Sequence, residues 1–224
     1  MSKLFSHSLI AALSLMILLM SCKQRNLSAE ATLQTSLQKL TAGNSRFSHH
    51  HPVHPDEDIK RMVAISKEQH PFAAVICCSD SRVPPELLFD QGFGDLFVIR
   101  TAGNIIGGVE LGSIEYAVEH LGVKLIIVMG HENCGAVKAF IGGGEAPGHI
   151  KEIVDSLKNE EEIIQIPVTD INRLDDCVIA NVWHGVKELK TASAIIREKV
   201  EKKELQIVAA RYDLDDFKVT LLKH

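Results

Sequence analysis

Phe72-Ala73-Ala74-Val75-Ile76-Cys77 is a short apolar run that opens directly into Cys78-Ser79-Asp80-Ser81-Arg82. Apolar residues without alternation, closed by small polar ones, predict a parallel strand buried on both faces. Two further runs have the same character. Asp95-Leu96-Phe97-Val98-Ile99-Arg100 leads to Ala102-Gly103-Asn104, and Lys124-Leu125-Ile126-Ile127-Val128-Met129 leads to Gly130-His131. Between them, Pro84-Pro85 heads a helical segment and Val109 to Leu121 has helical spacing. Ile207 to Ala210 and Phe217 to Leu222 are two more expected strands. The alternation predicts an α/β fold, a mainly parallel β-sheet flanked by α-helices with an N-terminal helical extension.

The extension reads as two helices. Ala31 to Leu40 carries Leu33, Leu37 and Leu40 at helical spacing, with Gly43-Asn44 as its stop. Asp56 to Gln69 is the second, with Ile59, Met62, Val63 and Ile65 as its apolar residues. The loop between them holds His49, His50, His51 and His54 and reads as solvated. Further on, Cys134 to Ile141 and Lys151 to Leu157 are helical. Thr169 to Lys203 forms one long helix or two, with Gly185 and Thr191-Ala192-Ser193 as breaks. Ile171, Val178, Val182, Val186 and Leu189 are spaced there for burial.

With 224 residues, the chain has room for one α/β domain and an extension. A net charge of −5 argues against a nucleic-acid partner, which calls for a basic face. Residues 1–21 read as a signal peptide: Lys3 is a positive n-region, and Leu9 to Met20 is apolar except for Ser14. That run is shorter than the roughly 20 residues a membrane span needs. Leu19-Met20-Ser21-Cys22 resembles a bacterial lipoprotein signal, which implies a lipid anchor on Cys22 and an exported, periplasmic, membrane-anchored protein. Residues 22–30 are then a polar tether and 31–224 the domain. Lys23 after the cysteine does not signal inner-membrane retention.

Cys78, His131 and Cys134 carry the chemistry. Two thiols and an imidazole are the donor set zinc favours, and three protein ligands leave a fourth position open, as in catalytic sites. Cys78 follows the first strand, 53 residues before His131, which ends the third. Strand carboxyl ends are where open α/β sheets bind ligands. Cys134 opens a helical run, where the helix dipole favours its thiolate. Zinc lowers the pKa of a bound water to about 7. Asp80, two residues past a ligand, is placed to accept the resulting hydroxide's hydrogen, and Arg82 to keep Asp80 ionised and aligned. A structural ion pair at a strand end, or a Cys78–Cys134 disulfide in metal-free protein, would be the plainer readings.

Cys78-Ser-Asp-Ser-Arg-Val83 and Gly130-His-Glu-Asn-Cys-Gly-Ala136 resemble the two signature motifs of β-class carbonic anhydrases. The resemblance extends to Gly43-Asn-Ser-Arg-Phe47, Asp95 to Arg100, Ala102-Gly-Asn104, Gly112-Ser-Ile-Glu-Tyr-Ala117 and Tyr212-Asp-Leu214, and runs from about Leu33 to the end. It implies Cys78, His131 and Cys134 as ligands of one zinc ion per subunit and Asp80 with Arg82 as the catalytic dyad. It also implies Gln69 as a substrate hydrogen-bonder and Phe97, Ala102 and Tyr116 as the lining of a small apolar pocket. Ala102 is smaller than the valine often found there. The family implies a homodimer or homotetramer with the pocket built across a subunit interface. A bicarbonate-inhibited subgroup carries tryptophan three residues before the first ligand cysteine, alongside an arginine and a tyrosine. Val75 stands at that place although Arg100 is present, and the one tryptophan is Trp183. The open form, with water and not Asp80 as fourth ligand, is therefore expected. The implied reaction is reversible hydration of carbon dioxide to bicarbonate and a proton through a zinc-bound hydroxide. Carbonyl sulfide or carbon disulfide hydrolysis on the same site, or a non-catalytic zinc-binding lipoprotein, are the alternatives.

Overall fold

The computed structural model describes residues 35–223. The signal peptide, the tether and Cys22 lie outside the described residues. Two strands, β1 (Ala73–Cys78) and β3 (Leu125–His131), form the centre, and every residue in both is buried. Being covered on both faces is what makes their sequences apolar without alternation. β2 (Leu96–Thr101) lies outside β1, and β4 (Gln206–Tyr212) lies outside β3. These four are parallel, and β5 (Val219–Leu221) adds antiparallel to β4, for an order β2-β1-β3-β4-β5. The chain runs from β1 outward to β2, then back across β1 to β3. That reversal puts the carboxyl ends of β1 and β3 side by side at the switch point, with Cys77 paired to Met129.

The period-two geometry of β1 sorts its side chains between two cores. Ala74 and Ile76 pack with Ile126 and Val128 against α4 (Gly108–Glu119), α8 (Arg173–Ala192) and α9 (Ala194–Glu201), through Ile114, Val182, Leu189 and Ile196. Ala73, Val75 and Cys77 face the other way, with Ile127 and Met129, toward Leu40 of α1 (residues 35–48) and Leu88 of α3 (Pro85–Leu88). Cys78 continues the even-numbered side. It joins a third cluster with Cys134, Val137, Leu157, Cys177 and Val178. Adjacent cysteines thus belong to different faces. Cys77 is a core residue whose thiol burial pushes up to about 12.

Several expectations on the helices are corrected. α1 does not stop at Gly43-Asn44 but runs on to residue 48. Both residues are packing devices instead. A Cβ on Gly43 would lie 1.7 Å from the Phe89 carbonyl oxygen. The Asn44 amide donates to the Leu88 and Phe217 carbonyls and accepts from the Val219 N–H. Replacing Gly43 with alanine should therefore force α1 off α3 and cost about 3 kcal/mol, the upper range for overpacking. Urea denaturation reads this directly, and an unchanged midpoint would refute the close packing.

The second helix, α2, spans only Ile59–Ala64, and Ile59, Met62 and Val63 are exposed, so its apolar spacing does not mark a buried face. Ile171 lies ahead of α8 and is 96% exposed. Gly185 sits within α8 without breaking it, at a point where a Cβ would come 3.1 Å from Val128. The break falls at Ser193, whose hydroxyl accepts from the Ile196 N–H and donates to Glu115. The histidine loop is exposed and is tied down by Asp90, which accepts from the Val53 and His54 N–H groups and from Arg46 Nε. α5 (Gly135–Gly142), α6 (Ile150–Lys158) and a short α7 (Glu161–Ile164), absent from the sequence reading, complete the helices used below.

Candidate metal centre

β1 delivers Cys78, β3 delivers His131, and Cys134 is the N-cap of α5. A tight turn through Asn133, in the left-handed region at φ 58°, aims His131 and Cys134 at the same point. One donor atom from each of the three residues lies within 4.8 Å of the others, and all three residues are buried. His131 Nδ1 is 2.8 Å from the Glu132 carbonyl oxygen. A carbonyl only accepts, so Nδ1 carries the proton and Nε2 presents its lone pair to the other two donors. Nε2 is buried without a hydrogen-bond partner. A buried, unsatisfied imidazole nitrogen facing two thiols is the donor arrangement a zinc ion satisfies.

The thiols differ. Hydrogen bonding from the Cys134 thiol, together with the Gly103 N–H at 3.3 Å from its sulfur, holds the Cys78 thiol well below its usual range. With Cys78 charged beside it, Cys134 is pushed up, although the N–H groups of Val137 and Ala136 at the start of α5 pull the other way. The helix terminus alone predicts Cys134 as the readier thiolate. Contact between the two sulfurs ties their ionisation together, so that a proton held on one favours the thiolate of the other. Cys77, Cys78, Cys134 and Cys177 are all free thiols.

Asp80 stands just beyond Cys78, its Oδ2 3.9 Å from His131 Nε2. Arg82 grips both of its oxygens: Nε donates to Oδ1 at 3.0 Å, Nη2 to Oδ2 at 2.8 Å, and the Arg82 backbone N–H to Oδ1 at 2.9 Å. That guanidinium keeps the Asp80 carboxyl well below the usual carboxylate range. A bidentate pair fixes direction as well as charge.

Three contacts escaped the sequence reading. Arg100 donates to the carbonyls of Cys78 at 3.2 Å and Asp80 at 2.7 Å, which fixes the loop that carries both. Gly103, at φ 71°, turns its N–H onto the Cys78 sulfur, and a Cβ there would lie 2.9 Å from the Ala136 Cβ. Asn181 of α8 donates to the Gly103 carbonyl at 2.7 Å. The Thr101–Cys78 pairing between β2 and β1 is the sequence-level hint that the 100–103 segment arrives here.

Of the four pocket residues expected, Ala102 is adjacent to this centre, next to Gly103. The other three are elsewhere in the chain. Phe97 pairs with Ala74, four residues and roughly 13 Å back along the sheet from Cys78. Its ring is 6.3 Å from that of Tyr116, which is exposed on α4. Gln69 is exposed ahead of the amino end of β1, the end opposite Cys78. Phe97 and Tyr116 thus belong to an edge strand and an open helix face.

Comparison with known proteins gives this constellation a lineage. The family model described as carbonic anhydrase matches residues 73–219. The carbonic anhydrase of Mycolicibacterium smegmatis is 41% identical over 189 residues, covering 83% of this chain and 91% of that one. The solved β-carbonic anhydrase CcaA superposes with a TM-score of 0.66 at 29% identity, covering 84% of this chain and 95% of its own. The chain belongs to the β class of the carbonic anhydrase family. A tetrameric β-carbonic anhydrase of Sordaria macrospora is similar at 28% identity and a TM-score of 0.65, covering 87% of this chain and 98% of its own. In a β-class carbonic anhydrase the Cys78, His131 and Cys134 group is suited to zinc, and the mainly parallel sheet is the fold of its relatives.

Proposed function

We propose that the chain catalyses the zinc-dependent, reversible hydration of carbon dioxide to bicarbonate and a proton. The observation that carries this is the Asp80–Arg82 pair beside three convergent donors, since a purely structural metal site has no use for an aligned carboxylate. Cys78, His131 and Cys134 would hold the zinc ion, which supplies an ionised water at neutral pH. Asp80 accepts the remaining hydrogen of that water and turns an oxygen lone pair toward the carbon. Arg82 holds Asp80 in that direction, and the carboxylate keeps lone-pair capacity to accept that hydrogen. Arg100 and the Glu132 carbonyl keep the loop and the imidazole in place. The new C–O bond forms as one C=O π pair moves onto oxygen, and a proton goes to solvent.

Gln69, Phe97 and Tyr116 complete the substrate pocket of a second subunit in this reading, and Ala102 lines that of its own. Their remoteness from the thiols of the same chain supports it. Light scattering on the active enzyme should give a dimer or larger, and a fully active monomer would rule it out. Oxygen-18 exchange between labelled carbon dioxide and water tests the reaction: loss of label should quicken in proportion to enzyme. Exchange at the buffer rate, with carbonyl sulfide consumed instead, would replace the substrate.

Export and anchoring through Cys22 rest on residues 1–22 alone. Among the described residues, no helix is long and apolar enough to cross a membrane. Radiolabelled palmitate should enter the wild-type chain in its host and fail to enter Cys22→Ser. Equal labelling of both would rule out the anchor.

A further inference from the structure

We infer that the cleft between residues 104–106, α6 and α8 is a second binding site, which takes a small alkylammonium cation. The cleft has a volume of about 270 Å³, and none of the three thiol and imidazole donors lines it. One of its lining side chains, Glu160, is more than nine-tenths buried and carries an acceptor with no partner, Oε2; Asn104 Nδ2 is also without one, but as a donor it takes no part in holding a cation. Buried polar groups without partners are costly and uncommon, so this wall is arranged for something that arrives from outside.

The charge around the cleft selects a cation. Glu160 and Glu188 both line it. His184 also lines it, but its Nδ1 is 2.9 Å from Glu162 Oε2. Lys187, the nearby cation, is engaged by Glu161 and Glu162. Neither His184 nor Lys187 is therefore free to pair with Glu160. Burial, with the neighbouring charge of Glu162, pushes its carboxyl up to about 8. The titratable groups around it are Glu162 on α7 and Arg173, Cys177, His184 and Glu188 on α8. Residues 104–106 and the α6-side lining of Ser156 and Asn159 contribute none.

A bare metal ion fits poorly. Among the described residues, no convergent set of three ligand atoms includes Glu160. An ammonium group spreads its donors over wider spacings, and Ile105 and Ile106 give an alkyl tail apolar wall to lie on. The Asn181 amide nitrogen is already committed to the Gly103 carbonyl, which leaves its oxygen to accept. Because the Gly103 N–H points at Cys78, an occupant of the cleft presses on the segment that contacts the metal-binding thiolate.

The test is isothermal titration of the zinc-loaded full chain with n-propylammonium chloride at pH 7 and pH 9. One saturable site per chain is expected, about tenfold tighter at pH 9, since a group titrating near 8 is about one-tenth ionised at 7 and nine-tenths at 9. Glu160→Gln should weaken binding at least tenfold at pH 9 while leaving the thermal melt cooperative. If that variant does not fold, Glu188→Gln, which is less buried, should weaken binding about threefold. Absence of saturable binding at both pH values overturns the assignment. So does unchanged affinity in Glu160→Gln, equal binding of neutral n-propanol, or preference for magnesium.

Discussion

Cys134→Ser should leave a folded chain that holds less than about a tenth of an equivalent of zinc and hydrates carbon dioxide no faster than buffer. A neutral serine hydroxyl replaces a thiolate at the N-cap of α5. Its oxygen does not ionise near neutral pH, and zinc prefers sulfur and nitrogen donors. Only Cys78 and His131 would remain, too few to hold the ion at a buried site. The same change removes the neighbour that, in the metal-free chain, does most to draw the Cys78 thiol down, so Cys78 should become less acidic. Atomic absorption after gel filtration, with circular dichroism as the check on folding, separates metal loss from unfolding. Full activity with zinc retained would remove Cys134 from the ligand set.

Asp80→Asn should retain one zinc ion per subunit and lose a factor of 10² to 10⁴ in turnover, the range for a positioned proton acceptor. The amide keeps the shape but offers a donor where Arg82 also donates, and it cannot accept with both heads. The loss should fall on kcat more than on KM, because the contact is to the reacting water and not to bound carbon dioxide. The pH dependence follows from the sign of the Asp80 shift. Its pKa is depressed, so the ionised form is present above the ordinary carboxylate value near 4 and is lost only in stronger acid. Between pH 6 and 9 Asp80 does not titrate. A rise in activity across that window comes from ionisation of the water near 7. Arg82→Gln would let Asp80 return toward 4, still ionised at neutral pH, so its activity loss would report lost alignment. Stopped-flow traces of both variants at matched zinc content check this. Wild-type turnover in Asp80→Asn would return Asp80–Arg82 to a structural ion pair.

The centre was legible in the sequence because its chemistry is carried by rare residue types at informative places. Cys78 and His131 each follow a run that is apolar throughout, and such runs arise only where both faces of a strand are covered. Strand ends were therefore readable to within a residue or two. Arg100, Gly103 and Asn181 were not readable as site residues. Each acts through a backbone atom brought close by the fold, across 22, 25 and 78 residues of chain. A side chain's type does not announce that kind of contact. Gly43-Asn44 misled for a related reason. A glycine followed by asparagine is the usual mark of a helix end, but here the glycine makes room for a carbonyl and the asparagine bridges two other elements. Ile59, Met62 and Val63 misled in the other direction, since helical spacing of apolar residues predicts a buried face and these three are exposed.

Placement also changes what the pocket residues mean. Gln69, Phe97 and Tyr116 would be dispensable if the site were complete within one chain, because none lies near Cys78. They acquire a role only if two chains meet, with the β2 edge and α4 of one subunit facing the metal centre of the other.

Cys78, His131 and Cys134 with Asp80 and Arg82 are proposed to make a zinc-dependent carbon dioxide hydratase. Stopped-flow hydration of carbon dioxide by metal-free protein titrated with zinc tests it most directly. The rate should climb linearly from the buffer value and level off at one zinc ion per subunit. A folded protein that binds one equivalent of zinc and stays at the buffer rate would contradict it.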